Sequence, residues 1–317
     1  MSENLFFPLM ESSGLCLLCD EEPFLLSPTP SPRRSSSPPP HADEDRDNSL
    51  RDLLEREHQY APRRGYLAYL RQSSNLSAAR TRAVRYIAQV CSRLNLATGT
   101  AFSAVNYLDR FISMNCVMRW EEWMVDLLSV ACLSIASKMD EVSIPSWYDL
   151  QMEDLSHSFT ASTIQEMELT VLERLDWRLA CITPLSYVEV LTWGLEHTRT
   201  PCIARTIELL LCALSGTVNG RPPIHVPARL LTWKSKWLES EFLRFDPSSV
   251  AVSALKTIAG SEAGFFFSML PFLIPLQHTG EVNGCQKLMD ELSIRSHSVV
   301  YLRTAQCVPH VAEADPN

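Results

Sequence analysis

Apolar side chains recur every third or fourth residue between positions 78 and 178, which is the spacing of one face of an α-helix. The stretch from Trp123 to Ala136 is apolar on almost every side, which indicates a helix at the centre of a bundle. No segment alternates convincingly between apolar and polar residues with the period of a strand. The sequence therefore predicts an all-α protein. The periodic residues include Val84, Ile87, Val90, Cys91, Phe102, Val105, Leu108, Phe111 and Ile112.

Helix starts are predicted from hydroxyl residues that stand just before periodic segments. Ser49 is expected to cap a short helix that runs through Glu57, and a second helix is expected from about Ala78. Thr98 is the predicted cap of the next helix, and Ser162 the predicted cap of the last one. The first half of the chain should therefore form a domain of about five helices.

The second half repeats the helical pattern. Pro184 is predicted to open it, Gly216 to end a helix that carries leucine and isoleucine on one face, and Pro247 to start another helix. The residues after about 278 are expected to form a poorly packed tail. The predicted units are 1–49 (disordered tail), 50–182 (first helical domain), 183–277 (second helical domain) and 278–317 (tail).

The N-terminal segment is rich in proline and serine between Ser27 and Pro40, a composition that buries too little apolar surface to fold. An extended, disordered linker is the expected structure. Control by phosphorylation or by degradation is a further hypothesis, because four hydroxyl residues each precede a proline. These candidate phosphosites are Ser27, Thr29, Ser31 and Ser37.

A short motif, Leu-x-Cys-x-Glu, lies within this N-terminal segment at Leu17, Cys19 and Glu21. It suggests a docking peptide, which implies a partner protein, although three fixed positions arise often by chance. Cys16 and Cys19 also have the spacing of a metal or redox pair, but no second pair lies nearby. Docking is therefore the favoured interpretation.

The overall composition disfavours several classes of function. A net charge of -9 argues against non-specific binding to nucleic acid. The most apolar run, 263–276, is shorter than the ~20 residues of a membrane span. Residues 1–10 lack an export signal, so we expect reduced cysteines in the cytosol or nucleus. We find no glycine-rich phosphate loop, zinc-ligand array or activated nucleophile, so neither catalysis, a cofactor nor a metal is expected.

Several motifs, in order, resemble the cyclin box. They are Val105–Phe111 (VNYLDRF), Ala131–Glu141 (ACLSIASKMDE) and Met167–Arg178 (MELTVLERLDWR). Leu53–Glu57 (LLERE) resembles D-type cyclins of plants, and Ser92–Leu96 (SRLNL) is most similar to their seventh subgroup.

This resemblance implies two tandem cyclin-box domains and a regulatory, activating subunit of a cyclin-dependent kinase at the G1/S transition. Lys138 and Glu168 match the residues that contact the kinase in the family. Arg80 and Asp109 match an ion pair that ties the first box helix to the second. The chain itself would have no active site.

The family also implies partners and a compartment. The expected kinase is the A-type cyclin-dependent kinase of plants, and kinase inhibitors are further candidate partners. In D-type cyclins the Leu-x-Cys-x-Glu motif binds retinoblastoma-related proteins, a role that would fall here to Leu17, Cys19 and Glu21. The expected location is the nucleus, with the cytoplasm as the alternative; neither nucleic acid nor membrane is an expected partner.

One departure from the family concerns a substrate-docking patch on the first box helix. Its apolar positions correspond here to Ala79, Arg82, Ala83 and Tyr86, with Arg85 beside them. Smaller and charged residues remove apolar contact area, so we expect weak or absent docking of Arg-x-Leu peptides. Two alternatives remain open: a cyclin-fold adaptor that activates no kinase, and a cyclin-fold transcription factor that binds DNA.

Overall fold

In a computed structural model of the protein, residues 42–151, 155–192, 200–215, 240–259 and 282–294 are described. Within these ranges the chain forms helices and turns and no strand, so the all-α prediction is confirmed. All of them belong to one compact unit, Pro39–Asn317. Among the described helices, none combines the length and the apolar character that crossing a bilayer requires.

The first helical domain is built around one central helix, α5. It contacts α3, α4, α6 and α7, and its side chains from Val125 to Ser137 are buried. The apolar stretch that predicted a central helix therefore occupies that position. The helices up to this domain's end are α1 (Ala42–Arg56), α2 (Tyr66–Gln72), α3 (Ser74–Arg93), α4 (Thr98–Met114), α5 (Glu122–Asp140), α6 (Trp147–Leu150) and α7 (Ala161–Arg174).

The second helical domain packs around its own core. Pro184 and Pro247 begin helices as predicted, each at the first helical position, where a missing N–H costs nothing. The predicted stop at Gly216 lies outside the described residues. The helices are α8 (Pro184–Thr192), α9 (Thr200–Ser215), α10 (Pro247–Ala259) and α11 (282–294).

The prediction of a poorly packed tail after 278 is wrong for residues 282–294. They form α11, and its Cys285 and Met289 are completely buried in the second core. These two residues stand four apart, so they share one helix face and can both reach the core.

The predicted helix caps were misplaced by one to eight residues. Ser49 lies inside α1, where its hydroxyl donates to the carbonyl of Asp45, because the helix already begins at Ala42. Thr160, and not Ser162, caps α7 by accepting a hydrogen bond from the amide of Thr163. A hydroxyl residue acts as a cap only where its own backbone is extended, as it is at Thr160.

The start of α4 depends on a distant acid rather than on a local cap. Thr98 is the first residue of α4, and the capping position is Ala97. The Ala97 amide donates to Glu141 Oε1 over 2.7 Å, and the Thr100 hydroxyl donates to the same oxygen. A carboxylate from beyond the end of α5 thus satisfies this helix terminus, where negative charge is stabilising.

The segment from α1 through the short 3₁₀ turn Glu57–Tyr60, called the strap below, precedes the first domain but packs on the second. Leu50 is buried in the second core, and Leu53 and Leu54 pack against it. At its end, the Tyr60 carbonyl accepts a hydrogen bond from Asn106 of α4. The strap therefore contacts both helical domains.

Candidate functional site

Lys138 and Glu168 form an ion pair between the last turn of α5 and the middle of α7. The distance from Lys138 Nζ to Glu168 Oε2 is 2.6 Å. The Glu168 side chain is only 9% exposed, whereas that of Lys138 is 38% exposed. The helix packing that buries Glu168 therefore also holds the ammonium group at the surface.

Trp147 completes this group, and the sequence alone did not reveal it. Its indole Nε1 donates to Glu168 Oε1 over 3.4 Å, and the Lys138 ammonium lies 5.6 Å from the centre of its ring. The indole ring thus contacts both members of the ion pair. A signal was present, because Ser146 and Asp149 have capping-box spacing and the structure shows that box at the start of α6.

Exposed apolar side chains flank the ion pair along the chain. Met139 follows Lys138 directly, and Leu169 follows Glu168. Trp177 stands just after α7 in a left-handed backbone conformation, with a φ of 56°. More than half of the surface of each flanking residue is exposed: Met139, Val142, Ile144, Tyr148, Leu169 and Trp177. Charged hydrogen-bonding groups among exposed apolar residues are typical of a surface that docks another protein.

Arg80 and Asp109 pair inside the first core, where α3 meets α4. Arg80 Nε lies 2.6 Å from Asp109 Oδ1, and Nη2 lies 2.7 Å from Oδ2, which is a bidentate contact. Both side chains are almost completely buried. The Tyr66 hydroxyl donates to Asp109 Oδ1 as well, so α2 joins the same network. This hydrogen-bonded network therefore joins α2, α3 and α4 in the first core.

The expected docking patch on α3 is closed. Ala79, Ala83 and Tyr86 are buried, and the Tyr86 hydroxyl donates to the carbonyl of Leu150. Arg82 and the neighbouring Arg85 are partly exposed. This burial agrees with the expectation of weak Arg-x-Leu docking, which stays a prediction.

One trio of metal-ligating side chains lies together in the described part of the chain: Glu57, His58 and Asp246. The Glu57 carboxylate already accepts hydrogen bonds from the Tyr187 hydroxyl, at 2.9 Å, and from the amide and hydroxyl of Ser248, at 3.2 and 3.1 Å. Its oxygens are therefore used in packing the strap onto α8 and α10, and we assign the trio to structure.

The remaining predicted site residues lie outside the described residues. They are Leu17, Cys19 and Glu21 of the docking motif and the candidate phosphosites Ser27, Thr29, Ser31 and Ser37.

Comparison with known proteins identifies the class. The family model "Cyclin, N-terminal domain" matches residues 48–180. A viral cyclin from herpesvirus saimiri shares the fold, with a TM-score of 0.57 and 14% identity over 77% of this chain and 95% of that chain. The two helical domains are thus those of the cyclin fold, and the chain belongs to the cyclin family.

Relatives place the chain among the D-type cyclins of plants. It is 47% identical to the putative cyclin-D7-1 of Oryza sativa subsp. japonica over 52% of each protein. It is 31% identical to cyclin-D1-1 of Arabidopsis thaliana, over 81% of this chain and 69% of that protein. With cyclin-D4-2 of Oryza sativa subsp. japonica the identity is 32%, over 81% of this chain and 62% of the relative. The chain thus spans about half to two thirds of the length of these relatives.

Proposed function

We propose that this protein is the non-catalytic, activating subunit of a cyclin-dependent kinase and promotes the G1/S transition. The observation that carries the proposal is the Lys138–Glu168 pair, held by Trp147 and flanked by exposed apolar residues. Membership of the plant D-type cyclins supports the choice of kinase, for which the A-type cyclin-dependent kinase of plants is our candidate. Kinase inhibitors are further proposed partners, and the nucleus is the proposed compartment.

The geometry suggests how such a surface would act on a kinase. Phosphoryl transfer requires an ion pair between a lysine of strand β3 and a glutamate of helix αC, and that helix must be turned inward. A surface that binds only the inward form shifts the kinase towards its active state. The Lys138 ammonium would donate to a backbone carbonyl of the kinase, and the Glu168 carboxylate would accept from a backbone amide. Apolar contact by Met139 and Leu169 would supply affinity.

The first experiment tests the docking surface. The A-type kinase is co-purified with the unchanged protein and with the double variant Lys138→Ala, Glu168→Ala, and kinase activity is then assayed. We expect co-purification and activation to be lost. The matched control is Asp52→Ala with Arg56→Ala, which removes an exposed ion pair of 2.7 Å on the strap. Retained binding in the first variant, or equal loss in both, would refute the assignment.

The same experiment separates the two alternative functions. An adaptor that activates no kinase would bind partners without raising kinase activity. A transcription factor would shift a DNA duplex in a salt-dependent manner.

Substrate choice is proposed to reside in Leu17, Cys19 and Glu21, which would bind a retinoblastoma-related protein. In an extended peptide the side chains of Leu17 and Cys19 would point the same way, into apolar slots, and Glu21 would meet backbone amides. A tether of this kind raises the effective concentration of substrate near the kinase. The variant Cys19→Ala, Glu21→Ala should weaken phosphorylation of the retinoblastoma-related protein and leave phosphorylation of a generic kinase substrate unchanged. If the kinase bound to the variant phosphorylates each substrate as well as the kinase bound to the unchanged protein does, this role is excluded.

A further inference from the structure

The outward face of α3 carries a line of arginines. Arg82, Arg85 and Arg93 are partly or fully exposed, and their spacings of three and eight residues place them along one side of the helix. They are called the arginine stripe below. The opposite side of α3 is buried in the first core. The stripe is therefore a surface feature, and it stands on a protein whose net charge is -9.

The length of the stripe selects the kind of ligand. Eleven residues separate its ends, which corresponds to about 16 Å along the helix axis. An extended peptide advances about 3.3 Å per residue, so roughly five or six residues would cover this length. A single phosphate group would reach only part of it. Guanidinium groups pair with carboxylates in a bidentate manner, so a run of acidic side chains fits the spacing.

The contacts of Arg82 and Arg93 are ones that a ligand could exchange. Arg82 Nη2 lies 3.3 Å from Glu122 Oε2, and these side chains are 42% and 61% exposed. Both side chains are partly exposed, so an incoming carboxylate can compete with Glu122 for the guanidinium. Arg93 donates to the backbone carbonyl of Asp149 over 2.8 Å, an acceptor without a full negative charge. Trp123, next to Glu122, is 41% exposed and offers an apolar surface beside the charges.

We propose that the arginine stripe docks an acidic segment of a partner protein, about six residues long and bound in an extended conformation. We infer an acidic segment because its carboxylates complement the positive charges of the arginines, and its length matches that of the stripe. This docking surface lies on α3 and is separate from the Lys138–Glu168 pair, so it does not depend on the proposed kinase interaction. It would add a charge-based recognition site to a helix whose apolar positions are buried.

The test measures binding of a fluorescein-labelled peptide with six consecutive glutamates to the full chain by fluorescence anisotropy. The stripe variant is Arg82→Gln, Arg85→Gln, Arg93→Gln. The matched control is Arg51→Gln, Arg64→Gln, Arg244→Gln, which removes the same charge from other exposed positions. We expect the stripe variant to lose at least ~10-fold in affinity and the control less than ~2-fold. The affinity of the unchanged protein for the peptide should fall several-fold between roughly 50 and 300 mM salt. This measurement does not depend on the folding of any variant.

Four outcomes would overturn the proposal. They are no binding at low salt, equal loss in the stripe and control variants, tighter binding of a peptide whose only charged side chain is one phosphoserine, and displacement of the glutamate peptide by a DNA duplex at matched charge. Co-purification of the kinase with the stripe variant is measured in parallel. The stripe variant keeps Lys138 and Glu168, so we expect it to bind the kinase. A negative result in the peptide-binding test would therefore leave the proposed function intact.

Discussion

The two helical domains each stabilise a buried carboxylate, and they do so in different ways. In the first core, the Asp109 carboxylate faces the Arg80 guanidinium in a bidentate pair, so the buried charges neutralise each other. In the second core, the Glu57 carboxylate of the strap meets neutral donors, which are the Tyr187 hydroxyl and the amide and hydroxyl of Ser248. The first arrangement joins helices within one domain, whereas the second attaches a separate segment to a domain.

This difference has a consequence for protonation. Burial raises the pKa of Glu57 above its usual range, and the neighbouring Asp246 raises it further, while the hydrogen bonds from Tyr187 and Ser248 oppose the rise. Neutral donors thus offset only part of the penalty of burying the charge. The comparison indicates that attachment of the strap depends on pH.

The largest effect is expected from breaking the pair in the first core. Arg80→Ala should lower the free energy of unfolding by about 3–5 kcal/mol, because it leaves Asp109 buried without its counter-charge. Urea denaturation provides the measurement. Arg82→Ala, two residues further along α3 and partly exposed, is the control and should change stability by less than ~1 kcal/mol.

A rescue variant distinguishes lost charge balance from lost packing. Arg80→Met, Asp109→Leu and Tyr66→Phe together remove every polar member of the network named above, and should recover most of the lost stability. If this triple variant is as unstable as Arg80→Ala, then packing rather than the stranded carboxylate is the cause.

Comparison of predicted and observed helices shows where sequence is informative. The long helices α4 and α5 were predicted because apolar residues recur at helical spacing in α4 and cover almost every side of α5. Both signals extend over four or five turns. Caps were less predictable, since Thr160 and Ser162 are both hydroxyl residues and only the backbone conformation distinguishes them. The short α2 was missed because two turns carry too little periodicity.

Local sequence was also insufficient to predict which acidic side chains are buried. Family motifs identified Lys138 and Glu168, and the structure brings them together. Nothing local separates Glu55 from Glu57 in the same short motif, yet Glu57 is buried and Glu55 is exposed. Its partners lie 130 and 191 residues further along the chain, so long-range packing decides which acid is buried.

The next largest effect concerns the strap. Glu57→Ala should lower the stability of the second domain by about 2–4 kcal/mol, because the Tyr187 hydroxyl and the Ser248 donors lose their buried acceptor. Hydrogen exchange should show the loss in α8 and α10, with little change in α4 and α5. Glu55→Ala is the exposed control. Uniform loss of protection in both domains would contradict the contrast between their cores.

A smaller effect is expected from neutralising the same carboxyl. Because the folded pKa of Glu57 is raised, its protonated form stabilises the fold below the unfolded pKa of roughly 4.3, and that stability is lost as pH rises through the folded pKa. Glu57→Gln keeps an acceptor without the charge. Its stability relative to the unchanged protein should therefore increase between about pH 4 and pH 7 in urea denaturation. A difference that is constant with pH, or that decreases, would disprove the stated direction.

The smallest effect is expected at Ser248, at the start of α10. Ser248→Ala removes the hydroxyl that donates to Glu57 Oε1 but keeps the amide that donates to Oε2, so it should lower the free energy of unfolding by about 1 kcal/mol. In the Glu57→Ala background the same change should have almost no effect, since the shared contact is already absent. Additive losses in this double-variant cycle would mean that Ser248 acts through other neighbours. The attachment of the strap would then rest on Tyr187 rather than on the start of α10.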